Sequence, residues 1–137
     1  MPNSILVKYV MSPSFQWVPP EATVQHAAFT MHAKDIGFLP VIEDNQIIGT
    51  VTDRDIAINI VGLGKDITKS TVRDCMSSKV YYCYDDQTVN EVCKNMSEMK
   101  VSRFPVVNRD KRLVGIVSYA DLSSSASPRI FAKGQQE

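Results

Sequence analysis

Apolar and polar positions alternate along this chain in two rhythms, and the rhythms follow one another in the same order twice. Short runs with a period of about two, rich in β-branched and aromatic residues, mark strands. They are Phe15-Gln16-Trp17-Val18, Phe38 to Ile42 and Ile47 to Val51, then Val80 to Tyr84, Phe104 to Val107 and Leu113 to Val117. After the first run of each set the apolar residues fall at i, i+3, i+4 and i+7: Val24, Ala27, Ala28 and Met31, then Val89, Val92, Cys93, Met96 and Met99. That spacing predicts helices with one buried face, so these methionines read as core filling. Thr23 and Thr88 stand where N-caps belong, and Glu91 would complete a capping box with Thr88. Each later pair of strands makes a hairpin, through Glu43-Asp44-Asn45-Gln46 and through Asn108-Arg109-Asp110-Lys111-Arg112. A closing helix follows each hairpin. The first is expected from about Asp53 to Val61, with Ile56, Ile60 and Leu63 apolar and Gly62-Leu63-Gly64 as its stop. The second should be shorter, because Ser123-Ser124-Ser125 and Ser127-Pro128 oppose its continuation.

The order is a duplication. Val10-Met11-Ser12 answers to Cys75-Met76-Ser77, Thr23-Val24 to Thr88-Val89, Met31 to Met96 and Pro40-Val41 to Pro105-Val106, all at an offset of 65. From Gly49 the offset is 66, pairing Gly49 with Gly115, Thr52 with Ser118 and Asp55 with Asp121. The extra residue falls in the polar turn between Asn108 and Arg112, where an insertion disturbs little. A first repeat over residues 5–64, a linker over 65–71, a second repeat over 72–125 and a mobile tail from Ala126 to Glu137 follow. Pro40 and Pro105 lie near the start of their strands, where a missing N–H is tolerated. Gly49 and Gly115 lie within strands, which marks a bulge or the close approach of another backbone or a ligand. The expected fold class is α/β (α+β): two pseudo-symmetric β-α-β-β-α units with three-stranded sheets, packed sheet to sheet. One copy of about 55 to 60 residues buries little apolar surface, so the two should share a core.

Composition narrows the function. The 137 residues are 44% hydrophobic and 22% charged, ordinary for a soluble globular protein, and the formal net charge is zero. With no basic block, nucleic acid and anionic membrane surfaces have little to attract them. No apolar run reaches the roughly 20 residues that cross a bilayer, and no secretory pattern opens the chain, so a cytoplasmic protein is expected. Cys75, Cys83 and Cys93 form no Cys-x-x-Cys pair and read as free, with Cys93 on the buried stripe. His26 and His32 do not share a helix face, so no metal site is expected. No nucleophile and base arrangement, phosphate loop or metal cluster supports an enzyme.

The chain resembles a tandem cystathionine-beta-synthase (CBS) domain pair, or Bateman module, standing alone. The resemblance covers about residues 5 to 125 and rests on two ordered sets of motifs. They are Val10-Met11-Ser12 with Arg73-Asp74-Cys75-Met76-Ser77, Leu39-Pro40-Val41 with Phe104-Pro105-Val106, and Gly49-Thr50-Val51-Thr52-Asp53-Arg54-Asp55-Ile56 with Gly115-Ile116-Val117-Ser118-Tyr119-Ala120-Asp121-Leu122. It implies clefts between the paired units that take AMP, ADP, ATP or S-adenosylmethionine as regulatory ligands, with no cofactor for catalysis. The alternative it leaves open is a protein-interaction or dimerisation module without a nucleotide.

Thr52-x-x-Asp55 and Ser118-x-x-Asp121 follow strands and open helices. They read first as capping boxes; the functional reading has Asp55 and Asp121 accepting from ribose hydroxyls and Thr52 and Ser118 contacting ribose or phosphate. The two roles are compatible. The resemblance also assigns a phosphate-binding basic residue two before the strand proline. Arg103 holds that position in the second copy and Phe38 in the first, so the two sites should be unequal. Arg54 is a further cation candidate. Walls for the base are expected around Trp17-Val18 and Tyr82-Cys83 and at Ile36 and Val101, with Val18 and Tyr82 as the principal residues; core packing is the competing reading for each. With Gly49 and Gly115, the Thr/Ser-x-x-Asp stretches would form the floor and ribose-facing edge of the clefts. A homodimer is expected, with Ala27, Ala28, Met31, Met96 and Met99 as candidate contacts, and an unidentified protein target is possible.

Overall fold

The computed structural model describes residues 5–126, with side chains as far as Ser124. The elements, in order, are α1 (Val24–Lys34), β1 (Phe38–Glu43), β2 (Gln46–Thr52), α2 (Asp53–Ile56), β3 (Cys83–Tyr84), α3 (Val89–Met99), β4 (Arg103–Val107), β5 (Leu113–Ser118) and α4 (Tyr119–Ala126). The fold is mixed α/β. Single 3-10 turns at Val7–Tyr9 and Val72–Asp74 precede the two halves, and a π-helical turn, Ala57–Val61, extends α2.

The compact units are not the repeats. Gln16–Val80 forms one unit, and the described parts of Met1–Phe15 and Tyr81–Glu137 form the other. The opening segment of each repeat therefore packs with the helix and hairpin of the other. In the first unit Ser77 exchanges hydrogen bonds with Thr50 (2.8 and 3.0 Å), and Val72 N–H donates to the Ala22 carbonyl (2.8 Å). In the second unit Ser12 and Ile116 make the equivalent pair (2.8 and 3.0 Å), and Val7 N–H donates to Gln87 (2.8 Å). Each hairpin is thus flanked on both sides: β2 by Ser77 and β1 by Val18, β5 by Ser12 and β4 by β3.

The strand glycines explain the exchange. A methyl group on Gly49 would lie 2.7 Å from the Ser77 carbonyl oxygen and 3.0 Å from Met76 Sδ; on Gly115 it would lie 2.8 Å from the Ser12 oxygen and 2.6 Å from Met11 Sδ. A second backbone, not a ligand, occupies the space of the missing side chain. The bulge expected there also forms, between Val41 and Ile42 opposite Gly49 and between Val106 and Val107 opposite Gly115. Both glycines pair with core residues, Val41 and Val106, so they face the core and not the floor of a ligand cleft.

Each unit encloses a core of its own, because the exchanged segment adds to it. Val72 and Cys75 join Val18, Val24, Ala27, Met31, Leu39, Val41, Val51, Ile56 and Ile60 in the first. Val7 joins Cys83, Val89, Val92, Met96, Phe104, Val106, Val117 and Leu122 in the second. Ala27, Met31 and Met96 are therefore internal and unavailable to a second copy, whereas Ala28 and Met99 are exposed. Leu63, expected on the buried stripe, is also exposed, as is the rest of the Gly62–Gly64 stop.

The helix ends follow the residues. Thr23 and Thr88 accept from the N–H groups of His26 (3.1 Å) and Glu91 (3.2 Å), but the Thr88 cap is one-sided, without the reciprocal bond expected of Glu91. Asp35 and Lys100 close α1 and α3 in the left-handed conformation, with φ of 55° and 58°. Asp44 and Asn45 have φ of 54° and 64°, the two-residue turn whose twist suits a hairpin. The inserted residue converts the second turn into a wider one, in which Asn108 Oδ1 accepts from the N–H groups of Asp110 and Arg112 (both 3.0 Å). α4 runs through Ser123–Ser125 to Ala126, eight residues against the four of α2 and five of its π-helical turn, and Ser123 donates its hydroxyl back to the Ala120 carbonyl (3.4 Å); Ser127-Pro128 lie outside the described residues. The tail expected beyond Ala126 lies outside the described residues.

Gly115→Ala is expected to lower stability by about 1–3 kcal/mol in urea denaturation. It should also speed amide exchange at Ile116 and Ser12 far more than at Thr50 and Ser77. Unchanged protection of Ile116 in that variant would refute the interlock.

Candidate functional site

Strand alternation sorts the candidate side chains. Leu39, Val41 and Val51 face the first core, and Phe104, Val106 and Val117 the second. Residues directly across an antiparallel pair share a face. Phe38 lies across from Thr52 and Pro40 from Thr50; Arg103 lies across from Ser118 and Pro105 from Ile116. These form the opposite face of each sheet, and each carries one Thr/Ser beside the residue that differs between the copies. Val18 is on the other side: it pairs with Val41, is 1% exposed, and its backbone bonds to Pro40 and Ile42. Its counterpart is Cys83, equally buried. Tyr82 and Tyr84 flank Cys83, and their rings meet edge to face with centroids 5.7 Å apart. The residue equivalent to Tyr82 is Trp17, 48% exposed. The period-two alternation through Val18 and Cys83 was the signal separating Trp17 from Val18.

Both Thr/Ser-x-x-Asp stretches are capping boxes. Thr52 N–H donates to Asp55 Oδ2 (2.9 Å) and Asp55 N–H to Thr52 Oγ1 (3.0 Å). Ser118 N–H donates to Asp121 Oδ2 and Asp121 N–H to Ser118 Oγ, both at 3.1 Å. The cap uses Asp55 Oδ2 and leaves Oδ1 without a hydrogen bond among the described residues.

A second clamp ties each cap to the strand entrance. Asp53 N–H donates to the Gly37 carbonyl (3.0 Å), and Tyr119 N–H to that of Ser102 (2.8 Å). One residue earlier, Ile36 and Val101 donate their N–H groups to Met31 and Met96, closing the preceding helices. Ile36 and Phe38 are thereby brought to Thr52, Arg54 and Asp55, and Val101 and Arg103 to Ser118 and Asp121. Ile36 is 38% exposed, while Val101 is half-buried against the second core. Asp53 and Tyr119 were not among the expected residues, although their place just after the capping Thr and Ser puts them at the same corner. The Asp53 carboxylate lies over Gly37, with Oδ2 only 2.7 Å from where a Cβ would stand.

Charge separates the corners. Arg73 is engaged by Glu21 (2.8 Å) and Glu43 (2.9 Å), and Arg109 by Asp86 (2.7 Å). Arg103 has no carboxylate partner among the described residues, and neither has the Arg54 guanidinium. The thiols offer no nucleophile: burial, with Asp55 and Asp74 nearby, pushes Cys75 up to about 11, and burial with Asp85 pushes Cys83 up to about 12. Cys93 is half-buried. Among the described residues no group of three His, Cys, Asp or Glu could hold a metal, and no helix is long and apolar enough to cross a membrane. The arrangement supplies hydrogen-bonding groups, apolar neighbours and, among the described residues, the guanidinium groups of Arg103 and Arg54 without a carboxylate partner, which is equipment for binding.

The second copy is β-α-β-β-α, the first α-β-β-α, with its expected opening strand over residues 15–18 reduced to a single bridge at Val18. With each hairpin running into a capped helix, the two define a tandem-repeat module with a repeated polar corner. The family model described as "CBS domain" matches residues 7–62 and again 72–127, and the chain belongs to that family. A CBS domain-containing protein of Bacillus subtilis, YhcV, is 32% identical over 117 residues, which cover 85% of this chain and 82% of that one. Among solved structures, CBSX2 in complex with AMP is 29% identical, with a TM-score of 0.77, over 91% of this chain and 98% of that one. The CBS domain pair of protein MJ0100, in complex with 5′-methylthioadenosine and S-adenosyl-L-methionine, is 28% identical, with a TM-score of 0.74, over 86% and 96%.

Thr52→Ala removes the hydroxyl that accepts from Asp55 N–H and is expected to cost about 1 kcal/mol of stability. Thr52→Ser should restore most of it. Equal denaturation midpoints for Thr52→Ala and wild type would show that the cap contributes nothing.

Proposed function

We propose that the chain is a regulatory module that senses an adenine nucleotide (AMP, ADP or ATP) or S-adenosylmethionine and performs no chemistry of its own. The observation that carries this reading is the corner of the second unit, where Arg103, with no carboxylate partner among the described residues, stands directly across from Ser118. A guanidinium without a carboxylate partner suits phosphate, and the Asp121 carboxylate that caps the helix with Ser118 suits a ribose diol. Arg103 takes the phosphate, Ser118 and Asp121 the ribose, and Tyr82 and Val101 flank the base. Two structural neighbours holding adenine-containing ligands support the ligand class. In the first unit Thr52, Asp55, Ile36 and Trp17 repeat the corner, with Arg54 as its cation, but Phe38 replaces the phosphate-binding residue. That site is the weaker one. The module works in the cytoplasm and relays occupancy to a protein target.

A ligand that binds only the folded state must raise the melting temperature, by about 2.7 kcal/mol of added stability at a hundred times Kd. Arg103→Ala and Asp121→Asn should each weaken AMP about tenfold or more, since each removes a charge-assisted contact, and Phe38→Ala far less. No shift with any of the four ligands at millimolar concentration would refute the reading; an inverted ranking would refute the unequal sites.

A second reading, self-association, rests on exposed apolar residues of the first unit. Phe29 on α1 is 64% exposed, and Ile58, Val61 and Leu63 beyond α2 are 53%, 60% and 66% exposed. A twofold contact between copies would cover them. Light scattering should then give twice the chain mass, reduced to the monomer by Phe29→Glu with Ile58→Glu. A monomeric wild type at micromolar concentration rules the dimer out.

A further inference from the structure

The second unit carries a side-chain chain of contacts that its duplicate lacks. Arg109 stands in the widened turn between β4 and β5. Its Nε and Nη2 donate to the two carboxylate oxygens of Asp86 at 2.9 and 2.7 Å, a bidentate pair. The same guanidinium lies 3.9 Å over the ring of Tyr84. Tyr84 in turn meets the Tyr82 ring edge to face, at 5.7 Å and 85°. The pair is exposed, so its worth to overall stability is small. Its worth is directional: a planar fork held at two oxygens fixes the plane that stacks on Tyr84, and Tyr84 fixes the ring beside it.

The first unit has no such chain. Pro19 stands where Tyr84 does and Trp17 where Tyr82 does; Glu21, the counterpart of Asp86, is held by Arg73 (2.8 Å) and not by a residue of the tight turn, and Pro19 offers that guanidinium no ring to stack on. The one-residue insertion, the Arg it carries, both tyrosines and Arg103 all belong to the same unit. Cys83 pairs with Val106 in parallel register, which sets Tyr82 level with Pro105, two residues along β4 from Arg103.

We propose that Arg109 is a positioning residue for the base-binding wall of the second unit, acting through Tyr84 to hold Tyr82 in the orientation that receives adenine. The inference rests on the nucleotide-binding reading above and adds to it the residues that set base affinity. Arg109 does not touch the ligand. Its removal should therefore change recognition of the base without changing recognition of the sugar phosphate.

The test compares AMP with ribose 5-phosphate on the full chain by ligand-observed NMR titration. In Arg109→Ala and Tyr84→Leu, AMP should weaken about three- to tenfold, as expected for disturbing one aromatic contact, while ribose 5-phosphate keeps its wild-type affinity. Arg109→Lys keeps the charge but not the planar fork, and should fail to restore AMP affinity. The Tyr82 ring resonances of the unliganded protein should shift in Arg109→Ala. Wild-type affinity for AMP in Arg109→Ala overturns the proposal while leaving the nucleotide reading intact. An equal loss for both ligands also overturns it, because that marks a simple charge effect. No AMP binding by the wild type removes the nucleotide reading, and the positioning role falls with it.

Discussion

The structure depends on an absence, the missing side chain at Gly49 and Gly115. Backbone can approach these strands only because no Cβ stands in its way, and the segment that approaches comes from outside the repeat that owns the strand. Three consequences follow from that contact. The outer edge of β2 or β5 is paired and not left as an open template. Each core receives Val72 and Cys75, or Val7, and so encloses more than a single repeat could. The strand that runs into the capped helix is also fixed from its far side, which steadies Thr52 and Ser118.

At the other end of those strands, local chemistry does two jobs with the same atoms. The Thr and Ser hydroxyls and the Asp carboxylates satisfy backbone N–H groups that a helix start leaves unpaired. Asp55 does so with one oxygen, leaving the second available. A site built this way requires little further organisation, since its groups are already held by the helix they start. The clamp from Asp53 to Gly37, and from Tyr119 to Ser102, then sets the helix start against the strand entrance. Phe38 or Arg103 reaches the corner for that reason.

The local elements were legible in the sequence because each has a short-range cause. Period-two runs gave the hairpins, the i, i+3, i+4, i+7 stripe gave α1 and α3, and the Thr/Ser-x-x-Asp spacing gave both boxes. The inserted residue was placed in the correct turn. What pairs with each repeat's opening segment was not legible, because Met11-Ser12 and Met76-Ser77 look alike and either could serve either strand. Reading Gly49 and Gly115 as a ligand floor failed for the same reason: a gap left for a backbone and a gap left for a ligand are spelled identically. Val18 was set beside Tyr82, although its counterpart by offset is Cys83. Ala27, Met31 and Met96 were offered to a second copy because periodicity identifies an apolar face without saying what covers it.

Agreement between the two copies is also a misleading guide to the binding site. The positions that agree, Gly49 with Gly115, Pro40-Val41 with Pro105-Val106 and Thr52-x-x-Asp55 with Ser118-x-x-Asp121, each have a folding reason to agree: a backbone approach, a strand start, a helix cap. A duplicated unit must keep them whether or not it binds anything. The positions that differ carry no such demand. Arg103 against Phe38 and the longer turn with Arg109 alter neither the hairpin register nor the caps, which match in both units, whereas Tyr84 against Pro19 goes with a strand, β3, that the first unit lacks. Folding leaves Arg103, Phe38 and Arg109 free, so their chemistry is the better record of what each unit was selected to hold. By that reasoning the proposed nucleotide belongs to the second unit, where a guanidinium without a carboxylate partner among the described residues and two tyrosine rings in edge-to-face contact occur together.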